Sequence, residues 1–76
     1  MTVTAPGVVS ASLTWGGKAD LDLYLYSPTG ALVAASAGAS KGIEELTYMA
    51  GEAGTYILEV VAVKGKANYT LAVTHP

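Results

Sequence analysis

The sequence predicts an all-β domain: a small antiparallel β-sandwich, jelly-roll-like, of about six to eight strands. Two observations predict it. Leu21, Leu23 and Leu25 alternate with Asp20, Asp22, Tyr24 and Tyr26, the period of two that gives a strand one buried face. Turn signals then separate this segment and its neighbours at intervals of roughly 8–12 residues, the spacing of sandwiches and barrels.

The elements follow in order. Val9–Trp15 alternates with Val9, Ala11, Leu13 and Trp15 inward, and Gly16-Gly17-Lys18 ends it. Leu21–Tyr26 is the second strand. Pro28-Thr29-Gly30 turns the chain, since proline presets φ and glycine accepts a positive one. Ala31–Ser36 is a short third strand. The run 37–42 is too short and too glycine-rich for a helix and reads as a loop. Ile43–Met49 is the fourth strand, followed by a turn at Gly51-Glu52-Ala53-Gly54. Thr55–Val63 is the longest segment. Tyr56, Leu58, Val60 and Ala62 form one face and Ile57, Glu59, Val61 and Val63 the other. Both faces are mostly apolar, which predicts a central strand whose second face is covered. Lys64-Gly65-Lys66 closes a hairpin onto Asn68–Thr74. Residues 1–76 read as one domain, with 1–7 an N-terminal arm or edge strand and 8–74 the core.

Composition bounds the function. A chain of 76 residues buries roughly 60% of its unfolded surface, so packing must be good. With no cysteine there is neither a disulfide framework nor a thiolate metal site. With no phenylalanine and one tryptophan, the core is aliphatic, finished by Trp15 and some of the five tyrosines. Four lysines in a net charge of −2 give no footprint for nucleic acid and argue equally against an anionic membrane surface. No apolar run approaches the ~20 residues of a spanning helix. Met1–Gly7 lacks a basic stretch leading into an apolar one, which implies either no export by that route or an excised domain with an added start methionine.

Few side chains suggest chemistry. Asp20 and Asp22 project to one side of a strand about 7 Å apart. With Glu44 or Glu45 and loop carbonyls they form a candidate calcium site (Asp20, Asp22, Glu45), calcium being a hard cation that takes 6–8 oxygens. The alternative is that an aspartate accepts backbone or hydroxyl hydrogen bonds and pins the strand. As a glycosidase pair they lack a cleft. Calcium is the single cofactor candidate. Tyr24 and Tyr26 share this face, and with Tyr48 they are the candidate ligand-binding residues, because tyrosines bury area at low entropic cost and keep a hydroxyl. The alternative is that they cover the edge of the core. Tyr56, Tyr69 and Trp15 are assigned to packing. His75, the single histidine, has no nucleophile or second ligand beside it, and no serine or threonine has a base. Asn68-Tyr69-Thr70 matches a glycosylation acceptor formally but lies in a predicted strand.

The ordered series Asp20–Gly30, Ser36, Glu45 and Tyr48, Gly54–Val60 and Tyr69–Val73 resembles the bacterial pre-peptidase C-terminal domain, related to clostridial collagen-binding domains. The resemblance covers residues 13–74 or so. It implies a jelly-roll-like sandwich without catalytic activity, an accessory of secreted proteases that helps secretion or processing of the attached enzyme or binds a protein or polysaccharide surface such as collagen, and hence an extracellular location. The strand that precedes this core in the family is missing or reduced to Met1–Thr4, and the acidic segment that carries calcium in the collagen-binding relatives is absent. From a different class, the same sandwich suits a structural subunit of prokaryotic or viral origin. Such a coat, decoration or filament protein would stand on a virion or filament surface and self-assemble with its copies through Met1–Val9 and its sheet edges. An enzyme is not expected.

Overall fold

Residues 1–37 and 42–76 are described by the computed structural model; the centre of the loop expected at 37–42 lies outside them. Among the described residues eight strands run in chain order: β1 (Thr2–Val3), β2 (Gly7–Trp15), β3 (Asp20–Tyr26), β4 (Leu32–Ser36), β5 (Ile43–Ala50), β6 (Gly54–Thr55), β7 (Ile57–Lys64) and β8 (Tyr69–Thr74). They form two three-stranded antiparallel sheets, ordered β5-β2-β8 and β4-β3-β7, and a two-stranded β1-β6 ribbon. Among the described residues no helix is long and apolar enough to cross a membrane.

The alternation read from the sequence is the packing of the core. Val9, Ala11, Leu13 and Trp15 of β2 are buried, and Leu21, Leu23 and Leu25 of β3 meet them from the other sheet. Leu46 and Ala50 of β5, Val3 of β1 and Tyr56 complete one cluster. The Trp15 indole donates to the Ala19 carbonyl at 2.8 Å, which ties the end of β2 to the start of β3. Between β3 and β4, the Gly30 amide donates to the Ser27 carbonyl and the Ser27 amide to the Ala31 carbonyl. Gly30 takes φ +88°, as the turn chemistry requires.

Two expectations are corrected. The segment expected as one strand over Thr55–Val63 changes partners at Tyr56. Its amide donates to the Met1 carbonyl and its carbonyl accepts from the Met1 amine, so Thr55 and Tyr56 belong to the N-terminal ribbon while Ile57 onward joins β3. Alternation of apolar residues runs straight through this corner and does not reveal it. The strand expected to be central, β7, is an edge of its sheet, and β3 is the middle. The apolar second face of β7 stays largely in water, with Ile57 and Val63 each 58% exposed. The ladder skips Val63, since Asp20 faces Lys64 and Leu21 faces Ala62.

The arm at residues 1–7 is folded onto the domain. Val3 is buried in the core cluster, the Thr4 amide donates to the Pro76 carbonyl at 3.3 Å, and β2 already starts at Gly7.

Candidate functional site

The outer face of the β4-β3-β7 sheet carries the residue types richest in chemistry. Strand parity turns Leu21, Leu23 and Leu25 into the core, so Asp22, Tyr24 and Tyr26 stand outward along the middle strand. Register brings Glu59 of β7 opposite Tyr24 and Ile57 opposite Tyr26. The Tyr26 hydroxyl crosses diagonally to donate to Glu59 Oε1 at 3.0 Å. The Tyr24 hydroxyl donates along its own strand to Asp22 Oδ2 at 3.3 Å. Both phenols are thereby anchored, and both rings are half-buried. Partial desolvation, with the Asp22 carboxylate next in weight, raises the Tyr24 pKa above its ordinary value; the hydrogen bond to Glu59 does the same for Tyr26.

Asp22, beside Tyr24, is buried, and it accepts a hydroxyl hydrogen bond as one of the two readings of the pair expects. Its Oδ1, and Oδ1 of Asp20, are closed off from water and have no hydrogen-bond partner. Asp20 and Asp22 remain neighbours on one strand, as the spacing predicts.

The other candidates lie elsewhere. Tyr48 is on β5, in the opposite sheet, in register with buried Val9 and therefore on the core side. Its ring packs on Tyr56, with centroids 6.3 Å apart at 53°. Glu45 pairs with Ser12 and is exposed on the outer face of the β5-β2-β8 sheet, away from Asp20 and Asp22. Glu44 turns inward instead, and its carboxylate accepts from the Ser36 hydroxyl. Among the described residues no three His, Cys, Asp or Glu side chains gather as a metal shell. His75 is exposed beside Pro76.

A feature not anticipated from sequence is a shallow trough of about 310 Å³ across the opposite outer face, lined by Ser10, Ser12, Glu45, Thr47, Ala72 and Thr74. Its signal was present in the short polar residues that alternate with the core positions of β2 and β8, but only the pairing of Ser10 with both Thr47 and Thr74 assembles them.

Against known families, the model of the bacterial pre-peptidase C-terminal domain matches residues 1–62. The match starts at the first residue, so it takes in β1 and β2 and runs into β7; β8, which pairs with β2, lies beyond it. With this matched segment spanning most of the chain, the protein belongs to the bacterial pre-peptidase C-terminal domain family.

Proposed function

We propose that this chain is a non-catalytic accessory domain of the kind attached to secreted bacterial proteases, and that it holds a protein or polysaccharide surface in the extracellular space. Membership of the family supports the class. The observation that carries the binding reading is the pair Tyr24 and Tyr26, whose hydroxyls are fixed by Asp22 and Glu59. Phenol rings held in place lose little freedom when a flat ligand covers them, which makes such residues effective contact points. Exposed Ile57, next to Tyr26 in register, extends the apolar part of the face.

The test is retention of the purified chain on insoluble collagen and on insoluble polysaccharides. Tyr24→Ala and Tyr26→Ala are each expected to weaken binding about 5- to 30-fold, the equivalent of about 1–2 kcal/mol. Tyr48→Ala, on the core side of the other sheet, is expected to lower stability and leave the affinity of the folded fraction unchanged. Equal retention of the two β3 variants and the unmutated chain refutes this face as the contact.

One observation favours a second reading, self-assembly of copies as a structural subunit: the edge strand β7 exposes Ile57 and Val63 beside an open row of backbone groups. The solution mass separates the two. A monomer supports the binding module, and a defined oligomer or filament supports the subunit.

A further inference from the structure

The two sides of the sandwich are finished differently. On one side the Ser36 hydroxyl of β4 donates to the Glu44 carboxylate of β5, and Leu46 and Ala50 of β5 are buried. On the other stand β7 and β8, the second edges of the two sheets. Register turns Leu58, Val60 and Ala62 of β7 toward the core, opposite Leu25, Leu23 and Leu21, and sets Leu71 and Val73 of β8 opposite Leu13 and Ala11. All five partners are buried, yet Ala62 is exposed and the other four are only half-buried. Core-facing apolar side chains on both lips therefore reach water on the same side. The β7 edge is also poorly guarded against pairing. Proline, lysine and inward charges protect natural sheet edges, and Ile57–Val63 has none of them; its bulge comes at the far end, beside Val63. Its one charge, Glu59, lies on the outer face and is held by the Tyr26 hydroxyl.

We propose that a second copy of this chain covers this side, the two β7 strands pairing antiparallel about a two-fold axis through Val60, so that β4-β3-β7 continues into a six-stranded sheet. The inference rests on the self-assembly reading above. A two-fold normal to the sheet keeps the outer faces of both copies on one side, so the register must centre on a residue and match each residue with one of the same face. Centred on Val60, the strand is complementary to itself. Ile57 meets Val63 of the second copy, Leu58 meets Ala62, and Glu59 meets Val61. The two most exposed side chains of β7 thus cover each other, twice over. Centring on Val61 would set Ile57 against Gly65 and Val63 against Glu59; centring on Glu59 would oppose two carboxylates. The apolar surface left open on this side is on the order of 500 Å² per copy, so closure removes about 1,000 Å² in all, the lower bound for a specific interface. Such a pair is expected to dissociate on dilution through the micromolar range.

The experiment is sedimentation equilibrium of the whole chain from about 1 to 500 μM. The mass is expected to rise from one chain to two and to stop there. Val63→Lys and Ile57→Glu alter side chains already in water, so each should keep the urea midpoint of the unmutated chain and remain at one chain mass throughout. Mixed in equal amounts they should regain the mass of two chains, because the proposed register sets the introduced carboxylate of one copy against the introduced ammonium of the other. A mass of one chain at every concentration overturns both this proposal and the self-assembly reading. A pair that persists undiminished in both single variants, a mixture that stays at one chain mass, or a mass that climbs past two chains overturns this interface and leaves self-assembly standing.

Discussion

Tyr56 shows how one side chain joins local geometry to global stability. Its ring is buried, its hydroxyl donates to the Glu52 carbonyl at 2.9 Å, and its backbone bridges the N-terminal ribbon to the main sheet. Tyr56→Phe keeps the ring and orphans a carbonyl, so a loss of about 1 kcal/mol is expected in urea unfolding. Tyr56→Ala empties the site and is expected to cost about 3–5 kcal/mol, close to the whole stability of a small domain. The phenols also set the alkaline limit. Desolvation raises the pKa of Tyr56 as it does that of Tyr24, and the Glu59 hydrogen bond raises that of Tyr26. A raised folded-state pKa means that the native state holds its proton more tightly than the unfolded chain. The contribution is therefore complete below the ordinary value of 10.0 and is lost as pH climbs through the higher folded values. Urea midpoints should thus be insensitive to these groups up to pH ~10 and fall above it. Tyr24→Phe with Tyr26→Phe should flatten part of that fall; a midpoint still rising above this pH contradicts the assignment.

Strands β2 and β3 were legible in the sequence because each has one apolar and one polar face, and burying the first determines the orientation of both. Alternation reports which residues share a side of one strand; it does not report which sheet the strand joins. Hence Tyr48 and Glu45 were grouped with the β3 residues although β5 lies in the opposite sheet, and hence β7 was placed in the middle when it is an edge. The burial of Asp22 was also illegible, since it depends on the Tyr24 side chain folding back to it. The corner at Tyr56 leaves one trace, Gly54. Its φ is +147°, and a Cβ there would sit 2.7 Å from Pro28 Cγ, so β6 lies against the turn that follows β3. Gly54→Ala is expected to cost about 1–3 kcal/mol through strain and displacement of that turn; denaturant titration checks it. On β7, Ile57→Thr and Val63→Thr alter side chains already in water, so stability should move by less than about 0.5 kcal/mol. If the chain self-associates through this edge, the same changes should lower its solution mass.

At the scale of the molecule, the two chain ends close the sandwich together. Val3 sits in the core cluster, β1 pairs with β6, and the Thr4 amide binds the Pro76 carbonyl. Gly7 completes the closure, because a Cβ there would meet Pro76 Cγ at 2.6 Å. An N-terminal segment that lends itself to a neighbouring subunit must first vacate these places. It would leave a hole beside Tyr56 and an unpaired β6. Assembly by arm exchange and independent stability of the monomer are therefore coupled here, and one substitution reads both. Val3→Ser removes a buried apolar side chain, and about 1.5–3 kcal/mol of stabilisation should go with it. If each copy keeps its own arm, the urea midpoint falls and the mass by light scattering stays that of the unmutated chain. If copies exchange arms, the mass falls toward one chain as the midpoint falls, and the loss becomes dependent on protein concentration. The packing of Val3 against its own core favours the first outcome, in which any assembly would proceed through an open sheet edge, of which β7 is the one that exposes Ile57 and Val63.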